Sequence, residues 1–206
     1  MKKVSLILLL LVLSLLAHAQ PAIAEQLRNR YAVKNGIEAT VSIKLDIPGI
    51  TAPVKTVEVY LENGKSPKIR GAGLVILPRR GMIDNFSELL SAQVQWIHLS
   101  TPGDIQVFKV VSLDPDSDWI TADLKVNVKE ARIEETDLVT RESGTFLMLH
   151  TYGKGNFPDR SEITFSTDKL PIPLKFLGKS DRSGIRESGG KVKGKITLDF
   201  THFRVF

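Results

Sequence analysis

The side chains that most often perform chemistry in proteins are few in this sequence and lie far apart. None of the 206 residues is a cysteine, which excludes a thiol nucleophile and a disulfide. Beyond the first 24 residues the histidines are His98, His150 and His202, and no two have the short spacing of metal ligands. No Gly-x-Ser-x-Gly motif is present. The sequence therefore predicts no catalytic site, no metal site and no cofactor.

Asp114, Asp116 and Asp118 resemble the opening of an EF-hand calcium loop. The sixth position of such a loop requires glycine and is Trp119 here, and the twelfth requires a bidentate glutamate and is Lys125. Closely spaced aspartates with a proline are also typical of turns. We therefore interpret this acidic run as the turn between two strands.

The N-terminal segment has the pattern of a secretory signal peptide. Lys2 and Lys3 give a positive start, and an apolar run follows that is too short for a comfortable membrane span. Two small-residue processing signals predict cleavage after Ala19 or after Ala24. Because the leader contains no cysteine, a lipoprotein anchor is excluded. We expect a periplasmic protein with a signal peptide within residues 1–24.

Length and charge restrict what the mature chain can be. Residues 25–206 are enough for one sizeable core, and we predict a single domain. The formal net charge of +5 falls to +3 once Lys2 and Lys3 are removed. Such a mixed, mildly basic surface argues against nucleic acid as a partner.

Apolar residues at helical spacing come first in the mature chain. Leu27 and Tyr31 lie four positions apart, and Gly36 follows where a helix would end. A second helical pattern runs from Asp84 to Val94, with Phe86, Leu89, Leu90 and Val94 as its apolar stripe. The sequence therefore predicts one N-terminal helix and one internal helix.

The rest of the chain alternates between apolar and polar residues, as half-buried antiparallel strands do. The first strand is predicted around Val41, Ile43 and Leu45, and the second around Val57 and Val59. Asn63-Gly64 predicts a tight hairpin turn into a return strand over 68–77. Further strands are predicted at 95–99, 105–112, 119–128, 131–140, 145–152, 161–166 and 195–206.

These elements predict a mainly β protein. Consecutive strands joined by short loops form antiparallel meanders and not crossover units. We expect a single strongly curved antiparallel sheet, an open or half β-barrel, with one or two helices covering its concave face. A two-sheet sandwich is the nearest alternative.

A curved sheet with an apolar concave face and a helical lid suggests a pocket for a hydrocarbon chain. Each buried methylene contributes ~0.8 kcal/mol, so an acyl chain needs no polar partner. The alternative is that helix and sheet pack against each other and leave no room. The predicted lid residues are Phe86, Leu89 and Leu90, and the predicted wall residues are Val41, Ile43, Leu45, Val57 and Val59.

The order of parts resembles the LolA-like superfamily of periplasmic lipoprotein carriers. A signal peptide leads to a short helix ending near Asn35-Gly36, the strand Ala39–Ile47, the Lys65-Ser66-Pro67 element and a lid-like helix. Val110-Val111-Ser112-Leu113-Asp114 precedes the Trp119–Val128 strand, and Gly144-Thr145-Phe146, Tyr152 and Phe157-Pro158 follow. The resemblance implies an open barrel that binds lipid acyl chains or lipid-modified proteins, with membrane-bound donor and acceptor proteins as further partners. It assigns no role to an individual residue.

Three functional hypotheses follow. The preferred one is a soluble periplasmic lipid- or lipoprotein-binding carrier with an apolar pocket under a helical lid and no catalysis. The second is a non-enzymatic secreted β-domain that acts through its surface in envelope assembly or stress sensing. The third, a small outer-membrane barrel, is prompted by the alternation of Ile196, Leu198 and Phe200, although His202 and Arg204 would share their face.

Overall fold

The computed structural model describes residues 20–32, 36–48, 51–62, 68–71, 86, 89–91, 93–167 and 192–206. Several sequence-based predictions fall outside these residues. They are the apolar run of the leader, the Asn63-Gly64 turn, the return strand beyond Gly71 and most of the predicted 84–94 helix.

One helix and ten strands account for most of the described residues. Their bounds in chain order are α1 (Ala22–Tyr31), β1 (Gly36–Asp46), β2 (Lys55–Glu62), β3 (Lys68–Arg70), β4 (Val94–Ser100), β5 (Ile105–Ser112), β6 (Trp119–Asn127), β7 (Arg132–Thr140), β8 (Thr145–Thr151), β9 (Arg160–Thr167) and β10 (Val192–Val205). As far as the structure describes the chain, no helix is both long and apolar enough to cross a bilayer.

All ten strands belong to one antiparallel sheet, in the order β3-β2-β1-β10-β9-β8-β7-β6-β5-β4. Neighbours in the sheet are also neighbours in sequence except for β1 and β10, which pair from Ile37↔Val205 to Asp46↔Lys195. The sheet is not closed, since β3 and β4 form its two edges. The predicted mainly β, open half-barrel with helical cover is therefore confirmed, and the sandwich is wrong.

The N-terminal helix forms where predicted, but its end is different. The apolar side chains Ile23, Ala24, Leu27 and Tyr31 are buried, as the helical spacing requires. The helix ends at Tyr31, and Gly36 is the first residue of β1 instead of a helix stop. A Cβ atom at Gly36 would lie 2.5 Å from Cζ of Phe206, so glycine is used there for close approach of a ring.

The internal helical pattern is interrupted earlier than the sequence predicts. Phe86 and Leu89 have helical backbone, and the amide of Leu90 donates to the carbonyl of Phe86 at 3.0 Å. Val94, which the apolar stripe assigned to this helix, is the first residue of β4 and pairs with Ser112. The apolar side chain of Val94 is buried in the strand, so burial does not require the helix that the sequence pattern predicts. Pairing between strands decides the conformation of this residue instead.

An irregularity in β10 changes which side chains face inward. His202 has a positive φ of 54°, and the register with β1 shifts between Glu38 and Thr40. A bulge of this kind moves the following residues to the opposite face. As a result Phe203, three positions after Phe200, packs beside the Phe200 ring. The alternation that prompted the outer-membrane hypothesis therefore does not continue to His202 and Arg204.

Candidate functional site

One face of the sheet, which we call the inner face, forms a single hydrophobic cluster with α1. Strands β1, β2 and β4 to β10 all contribute to it. Side chains with no solvent exposure include Val41, Leu124, Val126, Ile133, Ile163 and Leu198, and Ala24 and Leu27 of α1. Because these side chains come from both halves of the sheet, the inner face is one continuous apolar surface.

The structure brings the eight residues of the predicted pocket together. The wall residues Val41, Ile43, Val57 and Val59 and the lid residues Leu89 and Leu90 are buried members of the cluster, and Leu45 and Phe86 are half-buried against it. The predicted lid and wall residues therefore belong to the same apolar cluster. That they bind a ligand remains a prediction.

A ring of three hydrogen bonds fixes the C-terminal end of α1 to the sheet. The hydroxyl of Tyr152 donates to the carbonyl of Ile133 at 2.7 Å, and the amide of Ile133 donates to the hydroxyl of Tyr31 at 3.1 Å. The remaining 2.7 Å bond joins the two hydroxyls. Because the proton of Tyr152 is already used, Tyr31 must be the donor in this bond.

The two tyrosines replace a strand partner. The ladder between β7 and β8 begins at Glu135↔Leu149, so neither backbone group of Ile133 pairs with β8. An unpaired buried backbone group is unfavourable, and the two hydroxyls provide both missing partners. Burial raises the pKa of Tyr152 and of Tyr31. The pair is therefore neutral at any ordinary pH.

Arg30, the residue before Tyr31, holds the same end of the helix to two loops. Its guanidinium donates to the carbonyl of Glu130 at 2.8 Å, and to those of Gly155 and Asn156 at 3.3 and 3.4 Å. Glu130 lies in the β6–β7 turn, and the other two lie in the β8–β9 loop. Five donors in a rigid fork allow an arginine to connect several backbone segments at once. The helix is thus tied to the end of the sheet by polar contacts.

The described residues Phe86 and Leu90 contact α1 and β8. The ring of Phe86 is stacked on that of Tyr31, with centroids 4.3 Å apart and planes within 11°. It also lies 5.2 Å from the ring of His150. A polar contact comes from Arg28, which donates to the carbonyl of Leu90 at 3.3 Å. Tyr31 is therefore both part of the fixed helix and the ring on which Phe86 is stacked.

Aromatic rings form a series from Phe86 to the end of β10. Phe157 lies 6.0 Å from Tyr31 and 6.2 Å from Phe203, and Phe203 lies 6.2 Å from Phe200. We call Phe86, Tyr31, Phe157, Phe203 and Phe200 the aromatic row. The row runs from the cover of the inner face to a strand end where Phe203 is 39 % exposed.

His150 is a polar group among these rings. Its Nδ1 atom lies 2.9 Å from the hydroxyl of Ser161 on the neighbouring strand. Burial lowers the pKa of His150 to about 4, since a charged imidazolium is poorly solvated there. His150 is therefore neutral at physiological pH, and its place beneath Phe86 makes it part of the apolar layer.

Within residues 20–206, as far as they are described, no three His, Asp or Glu side chains come close enough to hold a metal ion. Asp114 forms the predicted turn, in which the amide of Asp116 donates to its carboxylate at 2.9 Å. An open cleft of about 170 Å³ lies beside this turn and is lined largely by serine and aspartate. Its polar lining does not suit a hydrocarbon chain.

The sequence predicted the apolar layer but missed the aromatic row. Tyr31 was identified only as a helix residue, and Phe157 and Phe203 belong to distant segments that the fold brings together. A signal was present at Phe200 and Phe203, whose spacing of three breaks the strand alternation. Their shared face depends on the bulge at His202, which alternation alone does not reveal.

No protein-family model matches the chain, and no curated protein matches it significantly. Several solved structures do match the chain. A LolA superfamily protein from Nitrosomonas europaea superposes with a TM-score of 0.55 at 10% identity, covering 90% of this chain and 92% of that one. A putative outer membrane lipoprotein-sorting protein domain from Vibrio parahaemolyticus gives 0.52 at 12% identity, over 88% and 90% of the two chains.

A DUF1329 family protein from Desulfovibrio piger is similar as well, with a TM-score of 0.50 at 11% identity over 89% of this chain and 90% of that one. At such low identities the likeness concerns the fold. The coverage nevertheless includes most of both chains in each comparison. The protein therefore has a LolA-like fold, as the order of its sequence elements predicted.

Proposed function

We propose that this protein is an exported, non-catalytic carrier that binds the acyl chain of a lipid or of a lipid-modified protein at its inner face. The observation that carries this proposal is the continuous apolar inner face, which is covered by two separate pieces of chain in a LolA-like fold. One solved structure with this fold is described as a lipoprotein-sorting domain.

The two covering pieces are attached in different ways. Tyr31 and Arg30 bind α1 to the sheet and loops through hydrogen bonds. Phe86 and Leu89 contribute mainly apolar contacts, which an acyl chain can replace with little change in free energy. Each methylene buried on uptake contributes ~0.8 kcal/mol. Binding then requires displacement of Phe86 and Leu89 while α1 stays in place.

Export is the second part of the proposal. The N-terminal residues have the composition of a signal peptide, and α1 begins only at Ala22. Cleavage after Ala24 would remove Ile23 and Ala24, which are buried in the core. We therefore place the cleavage after Ala19, which keeps α1 whole and leaves Gln20 to accept a hydrogen bond from Arg28.

A second candidate function is a secreted β-domain that acts through its surface in envelope assembly or stress sensing. The observation that favours it is the complete burial of inner-face side chains such as Val41 and Leu198. If the cover never moves, the apolar layer is simply the core. The two candidates differ in whether a hydrocarbon can enter.

Acyl-probe binding separates the two candidates. The mature protein is titrated with a monomeric fluorescent fatty acid, and protein purified from a periplasm is examined by native mass spectrometry for bound lipid. We expect probe binding that falls at least about tenfold in Phe86→Asp, since a charge on the cover opposes hydrocarbon burial. The control is Leu113→Asp, because Leu113 is 61% exposed beside the acidic turn.

The control variant should bind the probe as the wild type does. Absence of both co-purified lipid and saturable probe binding would exclude the carrier and leave the surface-acting domain. Equal loss of binding in both variants would show that the probe does not enter beneath Phe86.

A further inference from the structure

The end of β10 is unusually apolar for an exposed strand end. Phe203, Val205 and Phe206 are 39, 66 and 48% exposed, although all three are large hydrophobic residues. We call these three residues the β10 tip. Isolated exposed apolar residues are common, but three within four positions concentrate apolar side chains at one strand end, a feature that often marks an interaction surface.

The β10 tip is held in place and is not a frayed end. The backbones of Gly36 and Phe206 exchange two hydrogen bonds, both of 3.0 Å. Next to them Ile37 pairs with Val205. The Phe206 ring also lies against Gly36, where a Cβ atom would collide with it. Because its backbone is fixed, the tip has little backbone entropy to lose on binding, which favours its use as a contact surface.

The tip is also connected to the proposed ligand site. Phe203 belongs to the aromatic row, which reaches Phe86 on the cover through Phe157 and Tyr31. A series of neighbouring rings therefore leads from the exposed Phe203 to Phe86 on the cover of the inner face. A partner that contacts the tip lies at the same end of the sheet as the anchored end of α1.

Two arginines described near the tip are each next to a carboxylate. Arg204 lies 3.9 Å from Glu38, and Arg160 forms an ion pair with Asp199. The carboxylate of Asp199 raises the pKa of the Arg160 guanidinium. Paired charges give little net field for attracting an acidic or a basic protein surface. The tip therefore matches a partner that is apolar and has no net charge.

We propose that the β10 tip docks on a lipid surface and places the aromatic row against the source or destination of the acyl chain. This inference rests on the proposed carrier function. Phenylalanine and valine at an exposed tip can enter the boundary between headgroups and acyl chains, where apolar area sets the strength of binding. Because the nearby charges are paired, docking depends on apolar contact and not on anionic lipid.

The test is co-sedimentation of the mature protein with phosphatidylcholine vesicles. The variant is the double substitution Val205→Ser with Phe206→Ser, which removes two exposed side chains and keeps the backbone bonds to Gly36. The matched control is Ile97→Ser with Leu99→Ser, since these residues on the edge strand β4 are 45 and 48% exposed. We expect the tip variant to lose about tenfold or more in vesicle partitioning and the control to stay within about twofold.

Three further measurements complete the test. Raising the salt concentration or adding anionic lipid should change partitioning little, and a strong dependence on either would overturn the proposal. Equal loss in the tip and β4 variants would do the same. If the tip variant instead dissociates a dimer in size-exclusion chromatography, a second copy covers the tip and the lipid surface is excluded.

Binding of the monomeric fluorescent fatty acid separates this inference from the function on which it rests. A tip variant that keeps wild-type probe affinity but loses vesicle partitioning supports docking at the tip. A wild type that binds the probe but ignores vesicles overturns the docking inference and keeps the carrier. If the wild type binds neither the probe nor the vesicles, both the docking inference and the carrier function are excluded.

Discussion

Gly194 of β10 lies directly opposite Phe165 of β9, and the phenyl ring covers the glycine. A Cβ atom at Gly194 would lie 2.5 Å from Cζ of Phe165 and 2.7 Å from Cγ1 of Ile47. Both neighbours are buried, with 2 and 4% exposure. The missing side chain at Gly194 therefore makes the room in which Phe165 packs in the core.

Substitution of Gly194 by alanine should destabilise the protein. Neither Phe165 nor Ile47 can move aside without disturbing the core, and overpacking of this kind costs about 1–3 kcal/mol. The matched control is Gly36→Ala. The colliding ring there is that of the 48% exposed Phe206, which can turn away, and the carbonyl oxygen of Leu61 lies 3.1 Å from the added Cβ atom. Urea unfolding measures both, and a Gly36 variant that loses more than the Gly194 variant would contradict this explanation.

The hydroxyl of Tyr31 should be important for stability. Tyr31→Phe leaves the amide of Ile133 without its acceptor and Tyr152 without its donor, at a cost of about 1–3 kcal/mol. Tyr60→Phe is the control, since the hydroxyl of Tyr60 donates to Glu58 at the surface. Chemical denaturation gives the free energy of unfolding of each variant. Equal small losses would mean that the hydrogen-bonded ring is not needed.

Protonation of His150 should destabilise the fold in acid. The pKa is about 4 in the folded protein against 6.5 for an ordinary histidine. Between these values the unfolded chain binds more protons, so stability falls as the pH is lowered from 6.5 to 4, by roughly 3 kcal/mol. The free energy of unfolding measured across this range should fall less steeply in His150→Asn.

The control for this pH dependence is His202→Asn. His202 is exposed and its positive φ suits asparagine, so the substitution disturbs the bulge little. This variant should keep the wild-type slope. A slope that survives in the His150 variant would assign the acid sensitivity to other groups.

The mature chain should begin at Gln20. Ile23 and Ala24 belong to the buried side of α1, so a chain that begins at Glu25 would lose the first turn of the helix and part of the core. The intact mass of the protein recovered after export identifies the first residue. A mass that corresponds to Glu25 as the first residue would contradict both the cleavage site and the importance of that turn.

Local patterns in the sequence were sufficient for most of the fold. Val41 and Ile43 alternate with polar residues and face the inner side of β1, as predicted. The four-residue spacing of Leu27 and Tyr31 identified α1 in the same way. These predictions succeed because a helix or strand that is buried on one side has apolar residues at regular intervals, and the interval differs between helices and strands.

Long-range contacts decided what local patterns did not predict. Gly36 looked like a helix stop, but its conformation and its lack of a side chain are explained by Phe206, which is distant in sequence. The position of Val94 depends on pairing with Ser112, and that of Phe203 on the bulge at His202. The hydroxyls of Tyr31 and Tyr152 find Ile133 only in the folded sheet.

The pairing of β1 with β10 has a consequence for the order in which the molecule can form. Strands β4 to β10 make one continuous meander, and β1 to β3 make another, so the ladder from Ile37↔Val205 to Asp46↔Lys195 is what joins the two. A ribosome synthesises β1 early and β10 last. Until β10 emerges, these two parts of the sheet are not joined, and β1 and β9 each have an unpaired edge.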